Sequence, residues 1–276
     1  MLSQEFMRNA LLAGTFVAIA CGVSGWFVVL RGQVFAGDAL SHVAFPGALA
    51  AAAAGVDQRI GLVLATVVVG AGIGLLGRGA LSAAGGAGGS LPADDTAIGI
   101  AFTFILGMGL FFLTRFGLSS GGASGIQAAR TLFGSIFGLG AGEARLAAGI
   151  ALAVTLVTLA ISRPLLFASV APEVAGGKGV PTRLLGIGFL VVLGVVAAEA
   201  TQAVGALLLL GLLAAPAAAA HRIARSPLAG IALAGALALV SVWGGLALAY
   251  AVPSLPPSSA IIAIAATIYY VSVLIA

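Results

Sequence analysis

Apolar residues run along this chain in long unbroken blocks, and polar residues collect in the gaps between them. A run of about 17–25 apolar residues matches the length of a helix that crosses a bilayer. Such runs fall at 9–30, 40–56, 60–78, 95–115, 145–167, 184–200, 202–220, 229–251 and 259–276. A membrane barrel would instead alternate polarity in strands of about 10 residues. The pattern predicts an all-α fold, a polytopic transmembrane helical bundle with about 8–9 spanning helices.

The breaks fix the order of these elements. Residues 83–95 (AAGGAGGSLPADD) and 117–130 read as glycine-rich loops. The stretch 130–140 (RTLFGSIFGLG) is apolar but too short to span, and reads as re-entrant or interfacial. The longest mixed polar break of the second half is 169–183 (SVAPEVAGGKGVPTR), followed by a basic break at 221–227 and a proline-rich turn at 252–259. Forty-one glycines suit such a bundle, because small residues let helices approach where lipid gives no hydrophobic drive for association.

Composition strengthens the membrane reading. Hydrophobic residues make up 61% of the chain and charged residues 7%, with a mean hydropathy of +1.22. Soluble domains carry about 25% charged residues. The net charge of +4 comes from basic residues spaced singly, which describes loop ends rather than a nucleic-acid surface. With 169–183 on the cytoplasmic side, alternation puts Arg31, Arg78, Arg163, Lys178, Arg183, Arg222 and Arg225 inside. Arg8, Arg59, Arg115, Arg130 and Arg145 then lie outside, the sense the positive-inside rule favours. Cys21 is the only cysteine, which excludes an intrachain disulfide; it reads as a small packed hydrophobe.

Candidate chemistry rests on few groups. Asp38 and His42 stand four residues apart in FAGDALSHVAFPG, on one face of a helix, where both can reach a single divalent ion. A charged group at bilayer depth costs about 2.5–3.5 kcal/mol on insertion scales, which calls for a partner, a wet cavity or an ion. Two plainer readings stand beside this one: a hydrogen bond that only fixes packing, and a solvated pair at the membrane surface near Arg31. Asp94 and Asp95 open a helix, where acidic residues suit the helix dipole and cap free N–H groups, with ion contact as the alternative. Glu199 and Gln202 lie between two apolar runs, in a wet loop or a polar kink lining the path. His221 belongs with the basic break, and Glu143 and Arg145 with a helix end. The lone lysine, Lys178, precedes Gly179 rather than the Ser or Thr that a phosphate-binding loop needs. The chain therefore has no ATP site of that kind, and no H-E-x-x-H or CxxC arrangement that would support zinc hydrolysis.

The segment VLRGQVFAGDALSHVAFPG resembles the signature near the start of the permease subunits of zinc- and manganese-type ABC importers. DDTAIGIAFTFILGMGLFFL, LFGSIFGLG, LLFASVAPEVAGGKGVPTRLL and QAVGALLLLGLLAAPAAAA resemble further segments of that family in the same order. The resemblance implies one transmembrane permease domain over 1–276 in a bacterial plasma membrane, paired with a second copy of itself. It implies two separate ATPase subunits, an extracytoplasmic metal-binding protein, and a transported divalent metal (zinc, manganese or iron, the first two foremost), with no permanently bound cofactor. Nucleic acid is not among the implied partners; membrane lipid is. The metal residues carry over to Asp38 and His42, with Asp94, Asp95, Glu199 and Gln202 as path candidates. The ATPase-coupling segment carries over to 169–183, with Pro172, Glu173, Lys178, Gly179 and Pro181. One departure is Ala171, where the family usually has Asp before the Pro-Glu pair; another is the lack of an acid in PSLPPSS. Rival readings are a permease for a metal chelate such as a siderophore, and a gradient-driven carrier. The second usually needs more intramembrane ionisable groups than this chain has. An intramembrane enzyme lacks a catalytic constellation.

Overall fold

The computed structural model describes residues 4–76, 92–117, 134–206 and 208–275. Among these the chain forms ten α-helices and no strand: α1 (Glu5–Leu30), α2 (Val34–Ala53), α3 (Gln58–Leu76), α4 (Pro92–Gly117), α5 (Ala141–Val170), α6 (Pro172–Gly177), α7 (Thr182–Val204), α8 (Leu209–Ile223), α9 (Pro227–Ala251) and α10 (Pro257–Ile275). Seven of them, α1, α2, α3, α5, α7, α9 and α10, are long and apolar enough to cross a membrane, and α8 and Phe102–Phe112 of α4 are shorter apolar helices. These are the blocks that the hydropathy pattern marked, with one correction. The run at 202–220 is not one helix: α7 ends at Val204, the chain turns at Gly205, and α8 begins at Leu209. The expected loops at 83–95 and 117–130 fall largely outside the described residues.

The described residues cluster into two compact units, and the long helices α5 and α7 contribute to both. One unit draws on Met1–Val29, Arg130–Leu156 and Glu199–Ala276. Here α8, α9 and α10 pack mutually. α1 packs by its small residues: Gly22 meets the backbone of Ala234 and Gly235, and Gly25 the carbonyl of Leu213. Backbones this close leave no room for a β-carbon, which is the use of glycine in lipid-soluble bundles. The apolar 134–140 stretch forms a 3-10 turn at Ile136–Gly138. It docks on the end of α7, with the Ser135 N–H donating to the Gln202 carbonyl at 3.3 Å. Gly134, with φ of +75°, lies against the Val204–Gly205 backbone, where both its left-handed conformation and the contact require glycine.

The other unit draws on Leu30–Ala129 and Val157–Ala198. In it α3 packs against both α2 and α7. Gly47 of α2 and Gly61 of α3 face each other, and Gly194 of α7 lies against the carbonyl of Thr66. Ala44, Ala48, Leu62 and Ala198 form the apolar contact common to the three helices. α4 covers α2, with Gly109 against Phe45 and Pro46. Asp57 starts α3, its carboxylate accepting from the Arg59 N–H at 2.8 Å.

Candidate metal site

α2 forms because its sequence is rich in alanine, and two residues interrupt the ladder to useful effect. The Ser41 hydroxyl donates to the Asp38 carbonyl at 2.6 Å and is fully buried. Pro46 lies inside the helix and has no N–H, so the His42 carbonyl lacks its usual partner four residues on. Asp38 and His42 project from this helix one turn apart. His42 is the ninth of its twenty residues, about 12 Å along a helix of about 30 Å.

His42 Nε2 and Asp38 Oδ1 are 3.8 Å apart, and the side chains are 16% and 27% exposed. That gap is too long for a hydrogen bond. Two ligand atoms about 2.1 Å from one ion, at octahedral or tetrahedral angles, sit about 3.0–3.4 Å apart. A small rotation of either side chain closes the difference. Phe102 of α4 meets the imidazole edge-on, with centroids 5.0 Å apart and planes at 87°, and so limits its motion. The pair therefore makes no direct hydrogen bond, and both side chains are partly buried.

Among the described residues no cluster of three or more His, Cys, Asp or Glu side chains could hold a metal.

Asp94 and Asp95 fall in the first turn of α4; their side chains are outside the described residues. Glu199 and Gln202 are in the last turns of α7, not in a wet loop: Glu199 is 2% exposed. The apolar residues on both sides of them had suggested a break there, but the break comes three residues later, at Gly205. His221 is in the last turn of α8 rather than in a loop. It stacks on Trp26 at 4.6 Å, its Nε2 2.9 Å from the Trp26 carbonyl oxygen, so it is a packing group. The Glu143 carboxylate caps α5, accepting from the Gly140 N–H at 2.9 Å.

The segment 169–183 folds as α6 between two turns. Pro172 occupies the first helical turn, where its missing N–H costs nothing. Ala171 stands at the N-cap with no side-chain hydrogen bond, so the departure from Asp leaves this short helix uncapped. Gly179, with φ of +80°, turns the chain toward Pro181 and α7, and Lys178 folds back over the Phe167 ring at 5.8 Å. Glu173, Val174, Gly177 and Lys178 are exposed, while Ala175 is buried.

The residue that sequence reasoning missed is Arg31, which it placed at a wet boundary. Arg31 is 3% exposed. Its Nε donates to Gln33 Oε1 at 3.1 Å and its Nη1 to Ser169 Oγ at 2.9 Å, with the guanidinium over the Phe189 ring at 5.7 Å. Burial pushes its pKa down to about 10, so it stays charged at neutral pH. The Arg31–Ser169 bond puts the start of α2 and the start of the 169–183 segment at the same end of their helices. The charge alternation along the sequence had assigned both to one side of the membrane.

Seven apolar helices of spanning length, packed through small residues, define a multi-pass integral membrane protein. The chain matches the ABC 3 transport family over residues 3–276 and belongs to that family. It is 29% identical over 246 residues to the manganese transport system membrane protein MntC of Halalkalibacterium halodurans, covering 89% of this chain and 79% of that one. It is also 29% identical over 272 residues to the manganese import system permease protein ScaB of Streptococcus parasanguinis, covering 99% and 91%. Among solved structures, PsaBC from Streptococcus pneumoniae in complex with Fab superposes with a TM-score of 0.84 at 27% identity, over 99% of this chain and 92% of that one.

Proposed function

We propose that this chain is the plasma-membrane permease subunit of an ABC importer and that it passes a divalent metal ion, manganese first, into the cytoplasm by way of Asp38 and His42. The observation that carries this is the pair itself: two donors 3.8 Å apart, half-buried at mid-helix in a membrane protein, under an aromatic cover. The manganese import assigned to ScaB and the manganese transport assigned to MntC support the choice of ion.

An incoming ion exchanges part of its water shell for the Asp38 carboxylate and the neutral His42 imidazole. The carboxylate supplies charge, and the imidazole a nitrogen donor. Energy comes from two ATPase subunits docked on α6 and its flanks, where Pro172 and Gly179 shape a short helix that presents Glu173 and Lys178 to a partner. Their closure pushes this segment, and the helices around Asp38 and His42 alternate between two arrangements. A binding protein outside delivers the ion, and a second copy of the chain completes the channel. Glu199 and Gln202, and Asp94 and Asp95 at the head of α4, are candidates for further stations on the path. A chelate carrier would have little use for an acid and an imidazole positioned to take a bare ion.

The test is uptake of labelled manganese and zinc by cells lacking this chain, with the wild type or Asp38→Ala and His42→Ala restored. Restored uptake with the wild type and none with the variants, at equal protein levels, is expected. Equal uptake by all three removes the assignment.

A further inference from the structure

We propose that Arg31 is a positioning residue that carries the movement of the coupling helix α6 to the Asp38–His42 pair, by clamping the start of α2 to both helices that flank α6. This rests on the importer reading above.

Burying a guanidinium is expensive unless its donors are satisfied, and this chain has few charges of any kind. Among the described residues, Arg31 reaches groups on three elements. Gln33 precedes the first residue of α2 and holds Nε. Ser169 is the second-last residue of α5, three positions before α6, and holds Nη1. Phe189 lies two turns into α7, the helix that follows α6, and lies under the guanidinium plane.

Ser169 is built for this role. Its hydroxyl donates to the Leu165 carbonyl at 2.6 Å, which fixes the rotor and leaves a lone pair for Arg31. Only Ala171 separates α5 from α6, and Ala175 anchors α6 inside the unit. A push on α6 therefore moves the end of α5 and the start of α7 together. Arg31 grips both, and the rigid first turn of α2 joins it to Asp38. Lysine could keep the charge, but a single nitrogen cannot reproduce the forked contact with Gln33 and Ser169.

The test uses the full importer, this chain with its ATPase subunits and the extracytoplasmic metal-binding protein, in proteoliposomes with labelled manganese on the delivery side. The quantity read is manganese moved per ATP hydrolysed, with manganese binding and ATPase co-purification measured on the same preparations. Arg31→Ala should lower that ratio about tenfold and Ser169→Ala about threefold, with Arg31→Lys in between, as expected for losing charge-assisted bonds. Binding and co-purification should hold. An unchanged ratio in Arg31→Ala overturns the proposal. So does a fall in transport that only follows lost assembly or lost manganese binding, because that is a folding role. If Arg31→Ala does not reach the membrane, Ser169→Ala decides alone, and an unchanged ratio there is equally fatal. A wild-type complex that shows no ATP-driven manganese entry would instead remove the importer reading itself.

Discussion

Adding one methyl group at Gly47 should loosen the helix pair that carries the metal site. A β-carbon there would stand 2.5 Å from the Ala65 β-carbon and 2.7 Å from the Gly61 carbonyl oxygen. Ordinary carbon contacts are about 3.5–4.0 Å, so α2 and α3 would have to part by about 1 Å. Neither obstacle can swing aside, since one is backbone and the other the first atom of a side chain. Overpacking of this kind costs about 1–3 kcal/mol. Gly72, also on α3, has open space around its own added β-carbon, and Gly72→Ala should change stability by less than about 0.5 kcal/mol. Thermal unfolding of the two variants in one detergent makes the comparison, with manganese uptake alongside. Gly47→Ala should melt clearly below wild type and Gly72→Ala beside it. Gly47 also adjoins Pro46, so its variant should lose uptake as well. If Gly47→Ala melts with Gly72→Ala, the close approach of α2 and α3 does not hold in the membrane.

Asp38→Ala and His42→Ala should each reduce manganese uptake by at least about 100-fold, because either removes one of two protein donors. Glu173→Arg reverses the charge on the exposed face of α6 and should lower co-purification of the ATPase subunits; complete recovery would take Glu173 out of that contact. Glu199→Gln keeps shape while removing a buried carboxylate. Uptake should fall several-fold while the variant still melts near wild type, and normal uptake would take Glu199 off the path.

Most of the architecture was legible because lipid imposes a simple rule: backbone polar groups must be satisfied within a segment, so apolar length reads directly as helix. The rule fails where a helix ends inside apolar surroundings. Nothing in the hydropathy at 202–220 marks the turn at Gly205, which depends on the Gly134 backbone lying against it, a contact between residues seventy positions apart. The same blindness put Glu199 in water. Asp38 and His42 were legible as a pair from their spacing alone, but their cover, Phe102, lies sixty residues on, in a helix whose order along the chain says nothing about which face it hides. Arg31 was misjudged for a related reason. A lone arginine at a span boundary usually meets headgroups, and only tertiary structure reveals Ser169, Gln33 and Phe189 around it.

Pro46 gives α2 a weak joint one turn beyond His42. One rung of the ladder is missing there, while Ala44 and Ala48 hold the helix against α3 on either side of the proline. The softest point of this rod therefore lies within about one turn of the paired acid and imidazole.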